Sequence, residues 1–535
     1  MRWLGLLVSL TATTATATCD DPFADPTEVL TFNLRLSHAD WDSMRLEKNP
    51  GLACDLQYQW HAVDFRCGDE GPWISIGARH KRGDQRGVDA PEKPPLKLDF
   101  NRFVDDQRWP AAMGELGYRK LSLNNGQANL AGGVLPALLA EPVAWRLMQR
   151  ELPLAPRSAY ARVFVHFTDD GAVEYRGLYL VLEDLDRTAI RRRHGSSCGA
   201  LLKSTVGWCR EDPEYDDGPP DPARALYDRW YDAVPGDGWE AQTRATFDLD
   251  SLLRQEALKD ILGSGRDSPT GDLYNNYFRS EPREGLGRFY PWDLDWAFAV
   301  YPLEIKPETK LEAACSPIGL KTRCHPQLRK QYLRAACDLL QGTLSPEHVL
   351  AAWRAADALI RPLVRDESDA VWGGVDPLDP LVKGSYEAVN LRTQGWIPAR
   401  VESVRAQLEA EGVSCPASCE EGAAQPCGVG ACDGVRHCTN GTWAACEVSA
   451  SAEVCNGQDD DCDGVIDEGC PLAAEECAKA TPAARRNISA CACGSVDALG
   501  AGLLVLGGLF RRRSFSSPSA RRSASAATRP GSEDP

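Results

Sequence analysis

Twelve of the chain's twenty cysteines lie between Cys415 and Cys493, while the other eight are spread over everything that precedes them. Such a density is what a small module needs when crosslinks stand in for a hydrophobic core. The chain therefore reads as segmental, with a long cysteine-poor part that must build its own core and a short stapled part after it. A length of 535 residues leaves room for at least two folded units plus tails, and 43% hydrophobic residues suffice for a buried core. Irregular cysteine spacing and only eight histidines favour disulfides over zinc in the stapled part. Upstream, Cys54 with Cys67, Cys198 with Cys209 and Cys315 with Cys324 are each close enough to shut a short loop, which leaves Cys19 and Cys337 over.

Oxidising conditions fit the first residues. Arg2, the apolar run Trp3 to Leu10 and the small-x-small triplet Ala15-Thr16-Ala17 form an export signal over residues 1–17. Cys19 follows after Thr18, which departs from the usual small residue there, and lipidation at Cys19 is the minority alternative to simple cleavage. A formal charge of −18 argues against a nucleic-acid partner, because little cation is left to neutralise a phosphate backbone.

Hydrophobic periodicity divides residues 27–412 into a strand-rich and a helix-rich part, an α+β composition. Leu30, Phe32, Leu34 and Leu36 alternate as a strand does, and Ser37 caps a following helical turn. Ile74, Ile76, Leu96, Leu98 and Phe100 continue the strand pattern and predict an antiparallel sheet. Helical spacing appears from Leu135 to Gln149, then a hairpin of Arg162–Phe167 and Gly177–Leu182 turns at Asp169-Asp170-Gly171. A proline-rich acidic loop follows over 211–222. Helices are predicted at Leu226–Ala233, Leu252–Ile261, Gln327–Leu340, Pro346–Ile360 and Ala399–Glu411.

One passage of this region carries chemistry. Asn275-Asn276-Tyr277 and Pro291-Trp292-Asp293-Leu294-Asp295-Trp296 are joined by a strand, turn and strand, so amides and carboxylates meet at neighbouring loops. Hard oxygen ligands grouped in this way suit Mg²⁺ and its phosphates. The same residues would also serve as turn caps beside two packed tryptophans.

Upstream stretches give that passage a family context. Gly77-Ala78-Arg79-His80-Lys81, Lys93-Pro94-Pro95-Leu96-Lys97-Leu98-Asp99-Phe100, Leu121-Ser122-Leu123-Asn124-Asn125 and Tyr175-Arg176-Gly177-Leu178-Tyr179-Leu180-Val181-Leu182-Glu183 precede it in order. Together they resemble the CotH kinase family of spore-coat-protein-H-like atypical kinases. The resemblance implies a two-lobed, kinase-like fold and phosphoryl transfer from ATP, with Mg²⁺ or Mn²⁺, to serine or threonine of an extracytoplasmic protein. It implies metal ligands at Asp293 and at Asn275 or Asn276, with Asp295 the alternative carboxylate. The base is Asp267 or Asp272, since the stretch from Ser268 to Tyr274 is longer than the family's spacing. The phosphate-binding cation is Lys81, Lys97 or Lys203, and Glu183 is a carboxylate able to hold it. The rival reading is a surface adhesion or structural protein that keeps the fold without catalysis.

Beyond Gly412, residues 415–450 read as a disulfide module. In 453–470, Asp459, Asp461 and Asp463 recur every second residue, Gly464 permits a sharp turn, and Asp467 with Glu468 returns carboxylates, a pattern for structural Ca²⁺. The twelfth loop position holds Cys470, so the stretch resembles a short metal-binding repeat of myxobacterial surface proteins. After a linker at 471–490, residues 491–513 resemble the MYXO-CTERM sorting signal: Cys491 and Cys493, an apolar run from Ala498 to Phe510, then Arg511-Arg512-Arg513. That likeness implies attachment to the cell envelope at the outer surface. Residues 514–535 read as a disordered tail.

Overall fold

The fold was read from a computed structural model that describes residues 19–25, 27–47, 58–81, 93–130, 133–136, 138–152, 155–194, 201–205, 207–209, 238–265, 276–280, 286–299, 306–311, 325–366, 376–382, 385–416, 418–429, 432–444, 446–452, 454, 460 and 462. All of them belong to the compact unit Met1–Pro482; a second unit, Ala483–Pro535, lies outside them.

Strands run in chain order Val29–Leu36 (β1), His61–Cys67 (β2), Ile74–His80 (β3), Leu96–Asp99 (β4), Lys120–Asn124 (β5), Gln127–Leu130 (β6), Gly133–Pro136 (β7), Ser158–Phe167 (β8), Val173–Glu183 (β9), Leu201–Thr205 (β10), Gly207–Cys209 (β11), Asn276–Ser280 (β12), Gly287–Pro291 (β13), Ala424–Val429 (β14), Cys432–Thr439 (β15), Thr442–Trp443 (β16) and Glu447–Val448 (β17). The helices are His38–Leu46 (α1), Ala140–Glu151 (α2), Arg187–His194 (α3), Trp239–Arg244 (α4), Leu249–Leu262 (α5), Pro326–Gln341 (α6), Pro346–Val364 (α7) and Tyr386–Ala410 (α8).

The expected α+β composition and antiparallel strand pairing are present, but the strands form a closed barrel in the order β1-β2-β3-β4-β5-β9-β8, in which only β1 and β8 pair in parallel, where the sequence predicts a sheet like a kinase small lobe. Closure comes from β1, whose eight residues pair in parallel with Tyr160 to Phe167 of β8. That pairing satisfies a row of backbone groups that an open sheet would leave at its edge. Alternation explains what each face does. Phe32, Phe65 and Phe100 fill the barrel with Trp109, the Phe32 and Phe65 rings meeting edge to face at 5.1 Å. Strand β9 is apolar on both faces, because Tyr179 and Val181 point into the barrel while Leu178, Leu180 and Leu182 join the helical core outside. Helices α2, α5, α6, α7 and α8 share that outer core.

Two helices differ from the periodicity. The stretch from Leu135 opens with the end of β7, and its helix starts at Ala140. Helix α8 begins at Tyr386 and passes through Pro398, where the sequence signals a start. Ser385 caps it by accepting the Ala388 N–H at 3.0 Å, and burial of Ile397 and Arg400 on either side of the proline outweighs the lost hydrogen bond. The Leu226–Ala233 prediction and the acidic 211–222 loop lie outside the described residues.

Disulfides correct the expected pairing. Cys67 bonds to Cys19 rather than Cys54, and Cys337 bonds to Cys415. The Cys19 thiol is thereby used in a crosslink, which is incompatible with the thioether of a lipid anchor. Cys419–Cys438 and Cys427–Cys446 staple the β14–β15 region, and Cys462 is also disulfide-bonded. Arg436 reaches back from β15 to α6, donating to Gln341 Oε1 at 3.2 Å. Among the described residues, no helix is long and apolar enough to cross a membrane.

Candidate functional site

Three elements of the barrel and helices bring side chains to one place. Lys81 follows β3 and continues its ladder, its N–H donating to the Pro95 carbonyl at 2.8 Å. Asn124 ends β5, and Glu141 lies in the first turn of α2. Lys81 Nζ donates to Asn124 Oδ1, and Asn124 Nδ2 donates to Glu141 Oε1 at 2.7 Å. One helical turn on, Trp145 Nε1 donates to the same Glu141 oxygen at 3.3 Å.

Glu141 is 4% exposed, so its ionised form is held by few partners. Burial raises its pKa above the usual carboxylate range; the Lys81 charge and the Asn124 hydrogen bond oppose that rise, while the Asp293 charge adds to it. Lys81 Nζ also stands 5.8 Å from the centroid of the Trp292 ring. One cation is thus shared by a relayed carboxylate, an indole face and the vicinity of Asp293.

Asp293 is held by the C-terminal end of α5. Fully buried Lys259 donates to the Trp292 carbonyl at 2.6 Å, and Ser264 Oγ donates to the Asp293 carbonyl at 3.4 Å. Asp293 has φ of 57°, a left-handed conformation that costs a non-glycine residue roughly 1–2 kcal/mol and is found where neighbours enforce it. The scaffold below is close-packed: Tyr332 OH donates to Asp260 Oδ2 at 2.6 Å, and Arg400 donates to the carbonyls of Asp260 at 2.8 Å and Ile261 at 3.1 Å. A Cβ on Gly265 would lie 1.8 Å from Asp260 Oδ1, so any larger residue there would push that carboxylate out of its hydrogen bond with Tyr332.

A family model for the CotH kinase protein matches residues 82–404, more than half of the chain. The chain belongs to the CotH kinase family. That membership suggests a kinase-like function, and no curated protein matches the chain. The match begins one residue after Lys81 and includes Asn124, Glu141 and Asp293.

Within this CotH kinase family chain the other sequence-predicted residues fall in several places. Lys97 lies on β4 beside Arg79 of β3 and forms an ion pair with buried Asp184 at 2.9 Å; Ser122 donates to the same carboxylate at 2.7 Å. Among the described residues, Glu183 pairs with arginines instead of a lysine. It faces Arg192 and Arg193 at 2.6 Å each and Arg157 at 3.5 Å, because its place at the end of β9 turns it toward the barrel's mouth and α3. Asn276 opens β12 opposite Pro291, so the backbone brings it next to the Trp292-Asp293 segment. Lys203 pairs in register with Tyr277 on the same small sheet. Asp295 is half-buried in the turn after Asp293. Asp267, Asp272 and Asn275 lie outside the described residues, as do Asp459, Asp461, Asp463, Asp467 and Glu468.

Glu141 is the site residue the sequence reading missed. A signal was present: Ala140, Val143, Ala144, Leu147 and Met148 make an apolar stripe with one carboxylate inside it. A separate group of possible metal ligands, His38, Asp169 and Asp170, lies at the β8–β9 turn with ligand atoms within 4.8 Å of one another, and its imidazole is already bonded to Asp169 at 2.8 Å.

Proposed function

We propose that the chain is a protein kinase that transfers a phosphoryl group from ATP to serine or threonine of an extracytoplasmic protein. The observation that carries this reading is the chain Lys81–Asn124–Glu141 lying against the segment that bears Asp293. Phosphoryl transfer asks a protein chiefly for positioned charge. Lys81 is a cation suited to nucleotide phosphates, and its hydrogen bond to Asn124 holds the ammonium in one place. Glu141 compensates that charge without touching it directly, so the lysine keeps donors for a ligand.

A divalent ion fits the donor set in the sense that Asp293 supplies a hard carboxylate oxygen within the electrostatic reach of Glu141, and Lys81 lies near the Trp292 ring that precedes it. Asp293, with Asn275 or Asn276, would hold Mg²⁺ or Mn²⁺, and Asp295 is the alternative ligand. When bound, such an ion neutralises phosphate charge. Asp267 or Asp272 is the proposed base that accepts the hydroxyl proton of the substrate. Lys97, whose ammonium is held by the buried Asp184 carboxylate at 2.9 Å, is the alternative phosphate cation. Export, attachment at the envelope and structural Ca²⁺ at residues 459–468 complete the proposal and rest on the sequence patterns.

The test is purified full-length chain with labelled ATP and Mn²⁺, beside Asp293→Ala and Lys81→Met. Transfer by the wild type that is lost in both variants, with unchanged melting, supports the reading. Absence of transfer together with no nucleotide-dependent thermal shift under any divalent ion rejects it and leaves a binding or structural protein.

A further inference from the structure

Residues 19–25, just after the expected export signal, lie across the end of the barrel at which Glu183 is buried. Cys19 bonds to Cys67, the last residue of β2, and Cys67 pairs with Phe32 of β1. Asp21 Oδ1 accepts from the Tyr118 hydroxyl at 2.9 Å, and Asp21 Oδ2 lies 3.5 Å from Arg157 Nη1. Phe23 is 8% exposed; its ring meets Tyr118 edge-on at 5.2 Å, and the Arg157 guanidinium carbon is 5.4 Å from its centroid. Arg157 in turn donates to the Tyr118 oxygen at 2.6 Å and pairs with Glu183 at 3.5 Å.

This segment has one fixed end and one releasable end. On its C-terminal side only residues 26–28 separate it from β1, which starts at Val29. On its N-terminal side the covalent hold is the Cys19–Cys67 bond, between two half-buried cysteines that a small thiol can reach. Between those ends, Asp21 is its polar grip on the barrel among the described residues, since the Phe23 and Ala24 N–H groups fold back onto Asp21 itself. Burial raises the Tyr118 phenol above its ordinary range, so the hydroxyl stays a donor to Asp21. A grip of one carboxylate and one ring is small enough to open locally while the barrel stays folded.

We propose that residues 19–25 are a redox-latched strap: the Cys19–Cys67 bond holds Asp21 and Phe23 over the Tyr118–Arg157–Glu183 end of the barrel, and its reduction lets them lift away. With the bond closed, the strap is tethered at both ends, which raises the effective concentration of Asp21 and Phe23 at their site. The oxidant is a small disulfide, RSSR. One cysteine thiolate attacks it and expels RS⁻; the second attacks the mixed disulfide and expels the other RS⁻. One S–S bond forms as one breaks, and the two electrons and two protons of the cysteines leave as two RSH. Two RSH reverse the exchange. The strap is therefore open in a reducing compartment and closed in an oxidising one, so that closure of the barrel reports arrival outside the cytoplasm.

The experiment digests the full-length chain with chymotrypsin under native conditions and follows cleavage after Phe23 by mass spectrometry. The oxidised chain should resist there, and Cys19→Ser/Cys67→Ser should be cut faster by on the order of tenfold, with cooperative melting retained. In a second arm the unsubstituted chain is equilibrated in glutathione buffers of falling potential, and its free thiols are alkylated and mapped. Labelling of Cys19 and Cys67 should rise together with cleavage after Phe23, while Phe65, fully buried inside the barrel, stays uncut. Equal resistance in the serine pair would mean that Asp21 and Phe23 hold the strap unaided. Prompt cleavage of the oxidised chain would mean that the strap is not seated, and loss of protection only together with Phe65 would mean that it has no separate opening. Each of these outcomes overturns the inference. Neither arm reads transferase activity, so failure of the kinase reading leaves the strap standing, and the reverse.

Discussion

Asn124 separates Lys81 from Glu141 and bonds to both, accepting from the ammonium and donating to the carboxylate at 2.7 Å. The lysine and glutamate of this site are therefore coupled through a neutral amide. Asn124→Leu removes both hydrogen bonds and leaves a buried carboxylate with only Trp145 as a side-chain donor among the described residues. Phosphoryl transfer should fall by roughly 10²-fold, the scale of losing one preorganised polar contact at a reacting charge. Asn124→Asp should place a second acid against Glu141 and raise the apparent KM for ATP more than it lowers kcat. Steady-state kinetics of the two variants separates these effects from unfolding, which a melting curve reports.

Glu183 anchors a different network. It is fully buried, and burial alone would raise its pKa, but the Arg193, Arg157 and Arg192 charges hold its carboxyl well below the ordinary range. Glu183→Gln leaves three guanidiniums crowded at the barrel's mouth, so the loss should be about 3–5 kcal/mol, typical of breaking a buried pair from one side. For a depressed carboxylate the sign is fixed: its stabilisation is present above the ordinary value of 4.5 and disappears as pH falls through the folded value. Wild-type melting should therefore drop steeply in acid, and the variant's curve should be flatter. Equal acid dependence in the two proteins would refute the assignment.

The two networks show what could be read from the sequence. Strand alternation at Leu30 to Leu36 and helical spacing from Gln327 to Leu340 are local patterns, and both elements form where the pattern stands. Barrel closure is a pairing between β1 and β8, more than a hundred residues apart, and no local pattern encodes it. The same limit applies to the site. Asp293 stands out as a candidate because it sits in a dense motif, whereas Glu141 looks like any glutamate at a helix start until β5 and β3 bring Asn124 and Lys81 to it. Glu183 was misread since a glutamate ending a strand has no sequence mark for which cation it will meet. Asp184, its neighbour, is the residue that meets a lysine.

At the opposite end of the hairpin, His38 ties α1 to the β8–β9 turn. Its imidazole stacks on Phe167 at 3.6 Å and bonds to Asp169 at 2.8 Å. The hydrogen bond with Asp169 raises the pKa of His38 and lowers that of Asp169. The histidine's contribution is complete below its ordinary 6.5 and is lost as pH rises through the higher folded value; the aspartate's is present above its ordinary 3.8 and is lost as pH falls through the lower one. Both groups are charged only between those limits. Protection of the amides around Gly171, after correction for their intrinsic exchange rates, should be highest between the ordinary values of 3.8 and 6.5 and fall as pH rises through the higher folded value of His38. Asp169→Asn should remove that dependence while leaving global melting nearly unchanged, because the pair is solvent-exposed.

Cys337 and Cys415 join α6 to the start of the cysteine-rich region across 78 residues of sequence. A loop of that length makes a crosslink worth several kcal/mol in the chain-entropy account, about 3–5 kcal/mol. The bond does not act alone: Arg436 donates to Gln341, and Cys337 lies one helical turn from Leu333 and Leu340 in the helical core. Replacing both cysteines with serine should lower melting of the whole unit instead of releasing a separately melting C-terminal fragment. Adding Arg436→Ala should then loosen the β14–β15 region itself, seen as new protease cleavage near Cys415 with α6 still protected. Two well-separated melting transitions in the wild type would contradict this, since they would mean that the stapled region and the helices fold independently. A single transition that falls in the serine pair and falls further with Arg436→Ala is the expected result. It would make the stapled region part of the scaffold that holds Tyr332 against Asp260, and hence part of what positions Asp293.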